Sequence, residues 1–230
     1  MPLIVKVMSR TEYERLVGQA EVLAEDAYGP KVLETRDGNI VKLFRRKRVV
    51  SSKLLFPSAR SFERNARRLL ARGFRTVHVS GVYRVPAVKR DCVIYRRIPG
   101  QAVRELSAGQ EKDSHTVDHL VGRVGALLAD LHRSGFFFRS VHLGNIVRMP
   151  DGELALIDVS DLRVWPLGSL PFEWRMRNFG HIWRYPEDRQ IIRAWGVKRF
   201  VDAYLEHVCL DSRKREALRL RLEQFLGPSC

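Results

Sequence analysis

The first hundred residues contain short runs in which apolar and polar positions alternate, separated by turn residues, and this pattern is typical of β-strands. The turn that holds Asp37-Gly38 is a strong hairpin signal, because Gly accepts a positive φ angle. The pattern predicts a five-stranded sheet. The five predicted strands are "AEVLAED", "KVLET", "IVKLF", "TVHVSGVY" and "DCVIYRRI".

A helix is predicted between the third and fourth of these strands, in "PSARSFERNARRLLARG". Pro57 and Ser58 suit a helix start, and Gly73 suits a helix end. Apolar residues recur at steps of three and four within the segment, which predicts one buried stripe. The residues of that stripe are Ala59, Phe62, Ala66, Leu69 and Leu70.

The pattern becomes helical after Pro99-Gly100, which is a typical break between structural units. A long helix is predicted in "TVDHLVGRVGALLADLHRSG", followed by a hairpin in "NIVRMPDGELALIDV". The last third is predicted as helices, most clearly in "QIIRAWGVKRFVDAYLEHVCL" and "SRKREALRLRLEQFL". We therefore expect an α+β fold of two lobes, with a β-rich N-lobe over residues 1–98 and a helical C-lobe over 99–230.

The lengths of the apolar runs and the number of cysteines indicate the cellular compartment of the protein. Among the 230 residues no apolar run approaches the length of a membrane span, and "MPLIVKVMSR" is too short an apolar start for a secretory signal. The three cysteines are Cys92, Cys209 and Cys230, an odd number without a CxxC pair. This usage favours a reducing, cytoplasmic compartment and argues against a zinc site.

The formal net charge of +15 indicates an anionic partner, which would be nucleic acid, acidic lipid or a phosphorylated substrate. The alternative is that most of the basic residues simply lie on solvated helix faces. No helix-turn-helix, finger or RNP signature supports nucleic-acid binding, so nucleic acid is the weakest of the three partners.

Four polar residues are placed so that they would suit phosphoryl transfer from ATP. Lys42 lies in the third strand and Glu63 in the next helix. Asn145 and Asp158 both lie at the open end of the predicted hairpin, which would place them side by side. Such transfer needs a cation on the phosphates, a partner for that cation and oxygen ligands for Mg²⁺. Lys42 and Glu63 would supply the first two, and Asn145 and Asp158 would supply the ligands.

Each of these residues also has an ordinary structural explanation. Lys42 would be a solvated lysine, Glu63 would pair with Arg67 one helical turn away, and Asn145 would be a turn residue. Asp158 would end a strand or cap a helix. It is their joint occurrence, in this order and on these elements, that favours a site.

The chain resembles the protein-kinase-like superfamily over residues of about 20–185, in particular its small bacterial branch with the lipopolysaccharide core kinases and "toluene tolerance" proteins. The stretches that carry the resemblance are "VKLF", "SFERNARRLL", "YRRIPGQAV", "FRSVHLGN" and "IDVSD". The resemblance implies ATP and Mg²⁺ as cofactors, with Lys42 on the phosphates, Glu63 as its partner, and Asn145 and Asp158 on the metal. It also implies a lipopolysaccharide core sugar or related envelope glycolipid as acceptor, and a cytoplasmic protein that makes peripheral contact with an acidic membrane surface.

The loop "FRSVHLGN" departs from the H-G-D-x-H-x-x-N pattern of that family. Phe138 replaces the first histidine and Ser140 replaces the catalytic aspartate, while His142 and Asn145 match. Ser140 can orient an acceptor hydroxyl but is not an anionic base at neutral pH. His142 or Asp161 would have to take the proton, unless His142 only holds the loop and Asp161 only caps a segment or binds Arg163.

The first hairpin also has no G-x-G-x-x-G segment, having only Gly29 in "AYGP". Further on, arginines are interleaved with aromatic residues, and they would either bind an anionic acceptor or stack on Trp165 and Trp174. These arginines are Arg175, Arg177 and Arg184. Two functions therefore stay open: an ATP- and Mg²⁺-dependent phosphotransferase, and a catalytically impaired kinase fold (a pseudokinase) that serves as a nucleotide-binding scaffold or regulator in envelope biogenesis.

Overall fold

The computed structural model describes residues 3–46, 58–108 and 114–227. The chain divides into two compact units. The first unit contains the described residues up to Pro99 together with Leu156–Asp161, and the second contains Gly100–Ala155 and the described residues from Leu162 onward. The short return of Leu156–Asp161 to the first unit is not indicated by the sequence pattern.

The first unit is built on a six-stranded sheet in the order β1-β6-β7-β4-β3-β2. Its neighbouring strands are antiparallel, except that β1 runs parallel to β6. The strands are β1 (Val5–Val7), β2 (Ala20–Asp26), β3 (Gly29–Thr35), β4 (Asn39–Arg45), β6 (Val79–Val85) and β7 (Arg90–Arg96), and a short β5 (Arg75–Thr76) precedes β6.

All five predicted strands are present, but the sixth, β1, and the helix after it were not predicted. Helix α1 (Arg10–Gly18) begins with a capping box, in which Ser9 and Glu12 satisfy each other's backbone N–H groups. Met8, together with Tyr13 and Leu16, packs on a cluster that includes Leu33 and Cys92. The N-terminal segment thus covers part of the sheet instead of extending from it.

Helix α2 (Ala59–Leu70) confirms the predicted helix, and four of the five residues of the predicted stripe are buried, while Leu70 is half-buried. The side chain of Ser58 accepts a hydrogen bond from the backbone N–H of Ser61, as expected of an N-cap, whereas Pro57 lies outside the described residues. The helix ends before Gly73, whose φ of +80° closes the turn that follows.

The second unit is mainly helical. Short strands accompany the helices: β8 pairs antiparallel with β10, β11 lies beside β10, and β9 pairs antiparallel with β12. The strands are β8 (Gln101–Ala102), β9 (Phe136–Phe138), β10 (Ile146–Arg148), β11 (Leu154–Leu156) and β12 (Leu162–Val164). The helices are α3 (Val103–Ala108), α4 (Ser114–Arg133), α5 (Phe172–Trp183), α6 (Pro186–Trp195), α7 (Val197–Glu206) and α8 (Ser212–Leu226).

Two glycines shape the helical packing. The predicted helical segment over 190–210 is divided at Gly196, which adopts a φ of +89° between α6 and α7. Gly125 in α4 faces the backbone of α7, and a Cβ there would lie 2.6 Å from the carbonyl carbon of Ala203. The two helices therefore pack closely because one of them lacks a side chain at this position.

A buried polar network lies inside the second unit. His132 is 1% exposed, and its two ring nitrogens lie 2.9 Å from the hydroxyl of Tyr204 and 3.0 Å from Oδ1 of Asn178. The amide nitrogen of Asn178 donates to the carbonyl of Phe138, so its oxygen faces the ring. Neutral His132 therefore donates from Nε2 and accepts the Tyr204 hydroxyl at Nδ1.

The class of the fold is α+β, with a β-sheet in the N-terminal region and helices in the C-terminal region, as predicted. None of the helices within the described residues is both long and apolar enough to cross a bilayer.

Stability is expected to fall in mild acid because of His132. Burial, and then the nearby Arg175 charge, lower the pKa of His132 from 6.5 to about 3. Between pH 6.5 and pH 3 the unfolded chain therefore binds a proton that the folded chain does not, and stability is lost as the pH falls. The free energy of unfolding should drop by about 2 kcal/mol from pH 7 to pH 5 through this residue.

Urea unfolding across this pH range measures the effect. A His132→Gln variant, which cannot titrate, should be less stable at pH 7 but should show a shallower loss between pH 7 and pH 5. Equal pH dependence in the two proteins would contradict the assignment.

Candidate functional site

The first part of the candidate site is an ion pair within the first unit. Lys42 lies on β4, in the middle of the sheet, opposite Val32 on one side and Val93 on the other. Its side chain is 10% exposed, and its Nζ lies 2.6 Å from Oδ1 of Asp158, whose side chain is 35% exposed. The structure thus brings together two residues that are 116 positions apart and were both predicted for the site.

The segment that carries Asp158 is held by helix α2. Asp158 has a φ of +55°, a left-handed conformation that costs free energy in any residue with a Cβ. On α2, the buried Asn65 donates its amide N–H groups to the carbonyls of Val159 at 2.8 Å and Ser160 at 3.3 Å. The Ser160 hydroxyl in turn donates to Asp158 at 3.3 Å. Asn65 was not among the predicted site residues, because a helix residue beside arginines gives no signal of such a contact.

Tyr95 shows the electrostatic character of this region. Burial, and then the negative charge of Asp158, raise the pKa of the Tyr95 hydroxyl well above its usual value. The phenol therefore stays neutral at any physiological pH, and the charge that balances Asp158 in the first unit is that of Lys42.

Glu63 does not pair with Lys42 in this structure. Its carboxylate accepts from Nε of Arg67 at 3.3 Å, one helical turn further along α2. The side chain of Glu63 is nevertheless 10% exposed, so it lies against the body of the first unit. This contact matches the structural alternative for Glu63, while its role as the partner of Lys42 stays a prediction.

The hairpin between β2 and β3 is short. Only Ala27 and Tyr28 connect the two strands, and Asp26 faces Gly29 across the pair. Arg90 holds the turn: its guanidinium donates to Asp26 at 2.8 Å and to the carbonyl of Pro30 at 2.7 Å. A turn of this length offers no glycine-rich loop to surround phosphates, in agreement with the sequence.

The loop that resembles a catalytic loop lies in the second unit, between β9 and β10. Phe138 ends β9 with its side chain fully buried, so it packs in the core where a polar histidine was the family expectation. Asn145 is 7% exposed and donates from Nδ2 to the carbonyl of Ser140 at 2.8 Å, which closes the loop on itself. This hydrogen bond fixes the orientation of the Asn145 side chain. Ser140 itself is half-buried.

A buried carboxylate that no sequence pattern indicated anchors this loop. Asp188 on α6 is 0% exposed, accepts the backbone N–H of Leu143 at 2.8 Å and accepts from Nε of Arg104 at 2.7 Å. In sequence Asp188 is only one of two acids in the first turn of a helix, an ordinary position for a carboxylate. Its contact with Leu143 spans 45 residues, so no local pattern reveals it.

His142 is in contact with the same anchor. Its ring packs on Tyr185 with a centroid distance of 4.6 Å, and Nη2 of Arg104 lies 3.4 Å from its Nδ1. Because a guanidinium only donates, this contact makes Nδ1 the acceptor and puts the ring proton on Nε2. The arrangement favours the structural alternative for His142 over its action as a general base.

The three arginines that were predicted to bind substrate differ in their surroundings. Arg175 is 4% exposed and donates to the carbonyl of Leu170 and to the hydroxyls of Tyr204 and Ser169. These contacts match the structural alternative for Arg175, while its substrate role stays a prediction. Arg177 is exposed and stacks on Trp174, whose ring also packs on Phe137.

Arg184 is the third of these arginines, and it is exposed near the loop. Its guanidinium donates to Nδ1 of His181 at 2.8 Å and lies 5.9 Å from the ring of Tyr185. Burial, followed by the charges of Arg184 and Arg139, lowers the pKa of His181 to about 4. His181 is therefore neutral at pH 7, and the positive charge beside the loop comes from Arg184 and Arg139.

The oxygen ligands present suit Mg²⁺ better than a transition metal. Within the described residues no group of three or more His, Cys, Asp and Glu side chains is arranged to hold a metal ion by itself. Mg²⁺ is commonly bound by one or two carboxylates together with substrate phosphates and water. A one-third exposed carboxylate such as Asp158, held in place by Ser160 and by α2, fits that mode of binding.

Removal of the Asp188 carboxylate should destabilise the second unit. In an Asp188→Ala variant the Leu143 N–H would be buried without a partner and Arg104 would lose its ion pair, at a cost of about 3 kcal/mol in the free energy of unfolding. Urea unfolding measures the cost. The neighbouring Glu187→Ala is the matched control, since Glu187 is exposed and its loss should change stability by about 0.5 kcal/mol or less. Similar values for both variants would contradict the anchoring role.

The likenesses found among known proteins are to solved structures. No family model and no curated protein matches the chain. Among solved structures the chain is similar to a Toxoplasma protein described as a divergent kinase that lacks the glycine-rich loop and regulates membrane ultrastructure of the parasitophorous vacuole. The sequence identity is 17%, the alignment covers 97% of this chain and 70% of that one, and the TM-score is 0.41. A score at this level does not establish a shared fold.

Proposed function

We propose that the protein is an ATP- and Mg²⁺-dependent phosphotransferase-like protein that transfers phosphate to an alcohol acceptor. The observation that carries the proposal is the pair of Lys42 and Asp158, 2.6 Å apart on a strand and on a strained segment far from it in sequence. A lysine held inside a sheet beside a metal-type carboxylate is expected where phosphates bind. An exposed structural salt bridge would need neither a lysine buried in a sheet nor an aspartate with a strained backbone.

Each residue would have a distinct task in this proposal. Lys42 binds phosphate oxygens, and Asp158 supplies an oxygen ligand whose position is fixed by Ser160 and Asn65. Asn145 in the second unit is proposed as the other ligand, and Glu63 as a residue that positions Lys42. When bound, Mg²⁺ neutralises the charge that develops on the transferred phosphoryl group.

Ser140 sets the expected rate. A general base typically contributes about 10²–10⁴ to the rate, and a serine hydroxyl contributes only orientation. Because Nδ1 of His142 accepts from Arg104, His142 is poorly suited to act as the general base in place of the missing aspartate. Asp161, which follows Asp158 by three residues, is the other proposed proton acceptor. We therefore expect slow transfer, supported mainly by the cation and the metal.

The acceptor is proposed to be anionic: a lipopolysaccharide core sugar or a related envelope glycolipid, reached from the cytoplasmic face of the membrane. Support comes from the exposed Arg177 and Arg184 and from the charge of Arg139 next to Ser140. Arginine forks bind phosphate and carboxylate groups in two-point contacts, so this surface suits such an acceptor.

Nucleotide binding is expected to stabilise the protein through Asp158. Mg-ATP at about 100 times its Kd should add about 2.7 kcal/mol and raise the Tm by roughly 5 °C. In Asp158→Ala this rise should disappear, because the metal ligand and the partner of Lys42 are both lost. Differential scanning fluorimetry with and without Mg-ATP measures the effect.

Asp151→Ala is the matched control, since Asp151 is an exposed turn residue on the same hairpin, where its carboxylate accepts the backbone N–H of Glu153. It should keep the full rise. If the native protein shows no shift with Mg-ATP, nucleotide binding is refuted for the phosphotransferase and for the pseudokinase alike.

Ser140 favours the second candidate, a pseudokinase that binds nucleotide as a scaffold or regulator in envelope biogenesis. The substitution Ser140→Asp distinguishes the two. If the remaining site is intact, phosphate release from ATP should increase by about 10²–10⁴ in the variant. Detectable release by the native protein supports the phosphotransferase. Release that appears only in the variant supports the pseudokinase, and a variant without release, despite a normal Mg-ATP shift, contradicts the assignment of Ser140 to the base position.

A further inference from the structure

The outward face of α2 consists almost entirely of arginine. Four arginines of the helix are exposed, while Phe62, Ala66 and Leu69 are buried on the opposite face. The exposed ones are Arg60, Arg64, Arg67 and Arg68. With a rise of about 1.5 Å per residue they occupy about 12 Å of one helix.

The positive charge of this face is poorly compensated. The helix has one acid, Glu63, and its carboxylate is engaged by Arg67. Burial, and then the like charges of Arg64, Arg67 and Arg72, lower the pKa of the Arg68 guanidinium. The arginines of this face are therefore close enough to repel one another. Such repulsion costs stability, and an anionic partner would relieve it.

We propose that the arginine face of α2 docks the protein onto an anionic lipid surface. This inference does not depend on phosphotransferase activity. The chemistry it requires is an array of phosphate groups, to which arginine binds with two parallel hydrogen bonds. Clusters of basic residues on a helix are attracted to acidic headgroups without any insertion of apolar side chains.

The composition of the face argues against two other kinds of occupant. Stable protein–protein interfaces centre on buried aromatic or aliphatic anchors, and the exposed positions of α2 provide none. Single-stranded nucleic acid is held by aromatic side chains on which bases stack, and the only aromatic residue of the helix, Phe62, is 0% exposed. An acidic lipid surface is a partner that arginine can bind without apolar or stacking side chains. Duplex nucleic acid, which arginine also binds through phosphates, is distinguished by the test below.

The inner face of the same helix bears on the candidate site. Asn65 lies one residue after Arg64 and bonds to the carbonyls that follow Asp158. The outward arginines can therefore be replaced without removing a hydrogen bond of the Lys42–Asp158 region, and lipid binding can be tested separately from nucleotide binding.

The test is sedimentation of the full chain with vesicles of about 30% phosphatidylglycerol in phosphatidylcholine, and with phosphatidylcholine alone. The native protein should bind the anionic vesicles and lose binding in high salt. Substitution of Arg60, Arg64 and Arg68 with Gln, which keeps helix propensity, should weaken binding about 100-fold, at about fivefold for each arginine. Substitution of the same residues with Lys should retain most of it.

The matched control removes three charges from α8 by replacement of Arg213, Lys214 and Arg221 with Gln, all of which are exposed. This variant should bind within a few-fold of the native protein. Failure of the native protein to bind anionic vesicles, or an equal loss in the α8 variant, overturns the proposal. So does tighter binding of duplex RNA that depends on the same three arginines.

Thermal unfolding and the Mg-ATP shift of each variant provide the check on folding. An α2 variant that retains the native Tm and shift but loses vesicle binding supports the proposal. If the triple variant does not fold, the three single Gln variants replace it, and single variants that bind as tightly as the native protein contradict the proposal. Because vesicle binding and the Mg-ATP shift are separate readouts, failure of one function leaves the other measurable.

Discussion

The second unit depends on a carboxylate that water cannot reach. A charge as fully buried as that of Asp188 is tolerated only when its oxygens are bonded, and here they hold a guanidinium from α3 and a backbone N–H from the loop after β9. The conformation of residues 140–145 follows from this constraint, since Leu143 is held in place and Asn145 closes the loop onto Ser140. The positions of Ser140 and Asn145 are thus set by a residue to which the proposal gives no chemical role.

In the first unit, helix α2 holds the segment that carries Asp158. Asp158 needs a left-handed backbone, and α2 supplies two hydrogen bonds from Asn65 to the carbonyls that follow it. Lys42 then meets the carboxylate from a central strand of the sheet. The same helix presents arginine to solvent, so α2 has one face that organises the site and another that is available to a charged surface.

The sequence predicts the parts of the structure that local patterns determine. The five longer strands, α2, the long helix α4 and the hairpin that leads to Asp158 all follow from apolar periodicity and turn residues. Strand β1 was missed because three residues with largely exposed side chains leave no periodic signal, although the Ser9–Glu12 capping box of α1 was visible in the sequence. The burial of Arg175 and the anchoring by Asp188 were missed because they depend on partners 29 and 45 residues away.

The backbone at Asp158 has a consequence for how this position tolerates change. A φ of +55° is a conformation that glycine adopts with little cost and that other residues adopt at a cost of about 1 kcal/mol or more. With respect to backbone energy alone, glycine would be the better residue, whereas the ion pair with Lys42 requires a carboxylate. The folded protein therefore carries at this position a small, permanent loss of stability in exchange for a charged oxygen.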